Sequence, residues 1–137
     1  MKNLMKLTMA LILTLLLINT VAAQQPDDES YDQYLLKCLK DDNLGIRASA
    51  AQLLGERKVQ AAVKPLIEML KTERTYNARI VAAVALYKIG DEKAIPELKK
   101  LAFCDHCKTV RHVAAAIAQE MKNIQLAKKG ANQIVSR

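Results

Sequence analysis

Val63, Leu66, Ile67 and Leu70 stand at i, i+3, i+4 and i+7, the spacing that lays one apolar stripe along an α-helix. Ile80, Ala83, Val84 and Tyr87 form a comparable stripe and predict a second helix close behind the first. Pro65 falls in the first turn of its helix, where the missing N–H costs little. Gly55 and Gly90 stand near predicted helix ends and suit C-terminal caps. Asp91 opens the turn after Gly90 and can accept from the free N–H groups of the next helix. No strand pattern is visible.

The two-helix pattern recurs. "RASAAQLLG" begins at Arg47, "RIVAAVALYKIG" at Arg79 and "RHVAAAIAQEM" at Arg111, so the arginines are 32 residues apart twice over. Alanine pairs follow at one offset: Ala50-Ala51, Ala82-Ala83 and Ala114-Ala115. Between them, Ala62-Val63 and Leu66 map onto Ala94-Ile95 and Leu98 at the same interval. "YDQYLLKCLKDD", residues 31 to 42, is a weaker first copy that needs a one-residue adjustment in the turn. Small side chains let helices approach closely. Neither helix buries its stripe alone, and stacked helix pairs bury each other's, the physics of a solenoid.

These segments resemble HEAT repeats of the short bacterial kind, the group that includes the bilin-lyase-like repeats. The matching residues are Arg47, Arg79, Arg111, Leu54-Gly55, Ile89-Gly90, Asp91 and Ala94-Ile95-Pro96, within about residues 30–125. The resemblance implies an all-α, right-handed α-solenoid of about three helix-pair repeats, and a family used mostly as a binding scaffold. Two departures stand out. The first repeat ends "GERKVQ" without Gly-Asp, so its turn is expected to differ. The third lacks the Leu-Gly end; its last helix is expected to run to about Lys128, with Gly130 ending it and 130–137 left as a loose tail.

The N-terminus changes the picture. Lys2 and Lys6 precede an uncharged, mostly apolar run from Leu7 to Ile18, and Val21 and Ala23 fit the −3 and −1 positions of a cleavage site. That is the grammar of a secretory signal peptide, residues 1–23, and the run is shorter than the roughly 20 apolar residues of a spanning helix. The expectation is a periplasmic or secreted protein starting at Gln24, with no stable membrane insertion after cleavage. "PDDES" within 24–30 reads as a short disordered leader, and 31–129 as the repeat domain.

Without Lys2 and Lys6, 19 of the 21 basic residues remain against 14 acidic ones. The lysines are scattered and aromatics are few, which suits a solvated helical surface rather than a nucleic-acid site. The expected partner is therefore another protein, not nucleic acid.

Candidate chemistry is sparse. Some HEAT-repeat enzymes hold iron with His-Glu pairs, but no such dipeptide occurs here, and the two histidines are His106 and His112. The bilin lyases act on a pigment inside the cell, which does not suit export. Neither a phosphate-binding glycine loop nor a nucleophile elbow is present, so no enzyme and no cofactor are expected. The column of Arg47, Arg79 and Arg111 is read as structural, bonding acids or carbonyls of neighbouring turns, with Asp41, Asp42 and Asp91 as expected partners. The groove of the second helices, which begin at these arginines, is the place to look for a ligand.

"FCDHCKTVRH", residues 103 to 112, is the remaining feature. Cys107 falls at or just before a helix start, where free N–H groups stabilise a thiolate. Export favours a structural bridge between Cys104 and Cys107. A redox-active pair ranks second and a metal site third, since neighbours His106 and Cys107 rarely point inward together. Cys38 is too far along the stack to join them and is expected to remain a small buried thiol. The reading is thus an exported, non-catalytic scaffold or adaptor, with a thiol-redox or metal-responsive protein as the alternative.

Overall fold

A computed structural model describes residues 28–135 of the chain. The segment 1–23 read as a signal peptide lies outside the described residues, as do residues 24–27 of the leader and the final two residues of the tail. The chain divides into Met1–Tyr31 and Asp32–Arg137. Of the first body only residues 28–31 are described, the opening turn of a helix; the second body carries the repeats.

Among the described residues there are six α-helices and no strand. They are α1 (Asp28–Cys38), α2 (Leu44–Glu56), α3 (Val63–Thr72), α4 (Tyr76–Ile89), α5 (Ile95–Cys104) and α6 (Lys108–Val135). α3 pairs with α4 and α5 with α6, and α4 packs against both α2 and α6; α1 is tied to the end of α2 by the ion pair of Asp32 with Arg57. The chain is therefore an all-α stack of three helix pairs. Leu35 of α1 and Leu39 in the turn just after it are buried and correspond to Leu66 and Leu70 at an interval of 31, the one-residue adjustment the first copy needs.

Local chemistry fixes the boundaries. Asn43 caps α2, its side chain accepting from the Gly45 N–H at 2.8 Å. Gly90 ends α4 in the left-handed region at φ 77°, and Asp91 accepts from the Lys93 N–H at 2.9 Å. Single 3-10 turns, Gln60–Ala62 and Glu92–Ala94, lead into α3 and α5, and Pro96 stands in the first turn of α5. The first repeat does turn differently: Arg57 is an ordinary αR cap and Lys58 takes the positive φ, 55°.

Leucines and alanines build the core. Leu54, Leu66, Leu70, Leu86, Leu98 and Val110 are its largest fully buried side chains, and among the described residues no polar or charged residue is buried as a whole.

Four expectations need correction. Gly55 is not a cap; it lies inside α2, where an added Cβ would stand 2.7 Å from the Ala85 Cα, so its role is close approach of α2 to α4. The buried face of α4 is Ala78, Ala82, Ala83, Ala85, Leu86 and Ile89, while Ile80 is half-buried and Val84 and Tyr87 are exposed. Four alanines share the buried face with Leu86 and Ile89, while Val84 and Tyr87 turn outward. Gly130 does not end α6, which continues to Val135; Ala127, Lys128 and Lys129 before it and Ala131 after it are good helix formers that carry the helix through one unfavourable residue. Finally, 28–30 are the first turn of α1 rather than leader, with Glu29 at the end that favours negative charge.

Candidate functional site

The three arginines of the repeat form a ladder along the stack. Arg47, near the start of α2, donates through Nη1 to the carbonyls of Asp41 and Asp42 at 2.7 and 3.0 Å. Its Nε and Nη2 donate to the two carboxylate oxygens of Glu73, at 2.5 and 3.0 Å. Arg79 repeats this on α4: Nη1 donates to the carbonyls of Glu73 and Arg74 at 2.8 and 3.0 Å, and Nε and Nη2 hold Asp105 at 2.6 and 2.8 Å. Each planar guanidinium thus ties its own interhelix turn to the turn of the next repeat, using both edges of its fork. The Asp105 side chain is only 4% exposed.

Electrostatics follow the geometry. The bond from Arg79 to Asp105 raises the guanidinium further above its ordinary value, and Glu73 does the same for Arg47. Burial pushes the Asp105 carboxyl up, but the bonds from Arg79 and from the Cys107 N–H outweigh it, and the carboxyl sits below its ordinary range. The Cys107 N–H donates to Oδ1 of Asp105 at 2.8 Å.

The expected partners of the arginines are corrected in part. Asp41 and Asp42 do serve Arg47, but with carbonyls; the carboxylates come from Glu73 and Asp105, and Asp91 is a helix cap. A sequence signal for this existed and was missed: Asp41, Glu73 and Asp105 recur at the same 32-residue interval as the arginines.

Between the second and third repeats the ladder borders a cleft of about 580 Å³, lined by Leu70, Arg74, Glu97, Lys100 and His106 beside Arg79, Asp105 and Cys104. All three cysteines are free thiols, Cys104 exposed at the end of α5, Cys107 half-buried just before α6 and Cys38 half-buried on α1. The Cys107 thiol is pushed down, first by a hydrogen bond with the Val110 N–H, against the opposing effect of burial, and further by Thr109. Among the described residues no group of three His, Cys, Asp or Glu side chains is placed to hold a metal ion, and no helix is long and apolar enough to cross a membrane.

On the second-helix layer, a shallow hollow of about 160 Å³ is lined by Gln52 of α2 and by Ile80, Val81, Val84, Ala85 and Lys88 of α4. Lys88 Nζ stands 3.3 Å from Oε1 of Glu56, so the two helices are also bridged at their far ends. Val84 and Tyr87, 36% and 38% exposed, leave an apolar strip on this free face. The strip lies on the second-helix layer, and its residues are half-buried or exposed rather than core.

Comparison with known proteins agrees with the architecture. The family described as HEAT repeats matches residues 33–118. The alpha subunit of phycocyanobilin lyase from Picosynechococcus sp. (strain ATCC 27264 / PCC 7002 / PR-6) is 37% identical over 102 residues. That match covers 69% of this chain and 35% of the subunit, so the chain spans about a third of the length of the relative it matches.

Proposed function

Because the chain belongs to the HEAT-repeat family, we propose that it is a non-catalytic scaffold or adaptor that binds another protein on the free face of its second helices. The observation that carries this is the strip of Ile80, Val84 and Tyr87 on α4, apolar side chains turned away from the core beside Lys88 and Gln52. Isolated exposed apolar residues are ordinary on a protein surface; three on one helix face, bordering a hollow with a polar rim, suit a protein partner better than a small charged ligand. The polar residues that recur with the repeat are engaged with one another in the ladder, which supports a scaffold over the lyase chemistry of the longer relative. Export by residues 1–23 belongs to the same proposal, with the working protein beginning at Gln24 in the periplasm or medium.

Capture from the native cell's extract tests it. Protein with Val84→Glu should lose the partners that the unaltered chain retains, with its melting temperature unchanged. Retention of the same partners by the variant rejects the α4 face as the binding surface.

A second reading has its own observation. Cys107 carries a lowered thiol next to the exposed Cys104, in a loop that also holds Asp105. In an oxidising compartment we propose a structural bridge between these two thiols, ahead of a redox-active pair.

A further inference from the structure

Among the described residues the arginine ladder is open at both ends. Arg111 is posed like its two predecessors, with Nη1 donating to the carbonyls of Asp105 and His106 at 2.7 and 3.3 Å. Arg47 and Arg79 each hold a carboxylate 26 residues further on; for Arg111 that position is Arg137, and the one acidic residue after Asp105 is Glu120, out along α6. Among the described residues no carboxylate meets the Nε and Nη2 edge of Arg111. At the other end stands Asp41, in the place of Glu73 and Asp105. Its Oδ1 accepts from the Asn43 N–H at 2.8 Å, as Asp105 does from Cys107, and among the described residues no arginine holds it. Among the described residues, the first and the third repeat thus each carry one half of this salt bridge without its counterpart.

The apolar seam is open in the same two places. Gly55 meets Ala85 across the first seam, so Ala51, one turn earlier on α2, faces the following repeat, and Ala78, two turns before Ala85, faces the preceding one. Ala51 and Ala83 are 0% and 1% exposed, yet Ala115, at the equivalent position, is exposed. Ala78 and Val110 are 2% and 1% exposed, whereas their counterpart Ile46 is 43% exposed. Lys71 reaches forward to Glu97 of the next repeat at 3.4 Å; its counterpart Phe103 is 85% exposed.

We infer that a second copy of this chain covers these ends, stacking head to tail so that Arg111 of one copy grips Asp41 of the next. Charge complementarity selects this occupant: the geometry that Arg79 and Asp105 use inside the chain is supplied by the two ends of separate chains. Ile46 of the second copy then lies where Ala115 is bare, as Ala78 and Val110 do at the inner seams. The contact is heterologous, with different surfaces meeting, so it propagates into a ring or an open filament rather than closing as a symmetric pair. It uses the ends of the stack, and leaves the α4 strip free for a different protein.

Light-scattering mass and sedimentation velocity over a wide concentration range test it. The purified protein should grow beyond a monomer with concentration, and less so at high salt. Asp41→Arg and Arg111→Asp should each weaken association about tenfold or more. Their equimolar mixture should restore it, because each altered end then meets the opposite charge on the other variant. Phe103→Glu, at an exposed position that does not affect folding, should weaken association as well, and covers the case in which a ladder variant fails to fold. A monomer at every concentration, or assembly indifferent to Arg111→Asp and Phe103→Glu, overturns the inference.

Discussion

Arg79 and Asp105 form a two-pronged ion pair, with Nε to Oδ2 at 2.6 Å and Nη2 to Oδ1 at 2.8 Å, across the seam between the second and third repeats. The arginine is anchored from behind by two carbonyls of its own turn, and the carboxylate receives a backbone N–H from Cys107. A pair placed this way acts on repeat-to-repeat geometry. Asp105→Ala leaves a half-buried guanidinium without its acid and should cost about 2 kcal/mol or more of stability. Chemical denaturation of the variant beside the unaltered protein measures it.

The same pair sets a pH dependence. Asp105 is held below its ordinary carboxyl range in the folded chain, so its stabilisation is complete above the unfolded value, about 4. It is lost as pH falls through the lowered folded value. Melting temperatures should therefore drop on acidification below about pH 4, and drop less in Asp105→Asn, where the group no longer titrates. Equal acid sensitivity in both proteins would show that other carboxylates carry the effect.

Two glycines should respond in opposite ways to alanine. At Gly55 the new Cβ meets the backbone of Ala85, and moving α2 away from α4 should cost about 1–3 kcal/mol. At Gly130, a helical position with nothing within 4 Å, the same change should stabilise α6 by up to about 1 kcal/mol. Ala83→Leu overpacks a position only 1% exposed and should cost about 1–3 kcal/mol. Thermal melts of the three variants give the order directly.

These three positions also show what the sequence makes legible. The 32-residue recurrence of arginines and alanine pairs reveals the helix-pair stack, because every seam is built from the same residues. The free face of α4 is hidden in the sequence, since Val84 and Tyr87 look like core by hydrophobicity while Ala78 and Ala85 look unremarkable. Close helix packing reverses that expectation: the seam takes the small residues. Gly55 reads as a cap for a related reason, because a glycine near a helix end and a glycine at a tight crossing look alike until the neighbouring helix is placed. The carboxylate partners of the ladder were within reach, as Asp41, Glu73 and Asp105 keep the repeat spacing, but pairing each arginine with the following acid rather than the preceding one takes the stacking direction.

The thiols give a separate expectation. With glutathione disulfide as oxidant, Cys104 and Cys107 should lose their two protons and two electrons to form one bond, releasing two equivalents of reduced glutathione. Cys38 should remain free. Peptide mapping under non-reducing conditions checks the connectivity, and the double serine variant should lose little stability, since a short loop gains least from a crosslink. A mixed disulfide that persists at Cys107, with no bridge formed, would rule out the structural pairing.

The proposed contact with a protein partner is the exposed face of α4. A photo-crosslinking amino acid at position 84, in protein produced by its native cell, tests that contact most directly. A discrete adduct of one protein is expected from position 84, and none from position 68, where Glu68 is exposed on α3 on the side away from the buried face of that helix. Adducts from position 68 with none from position 84 would contradict it.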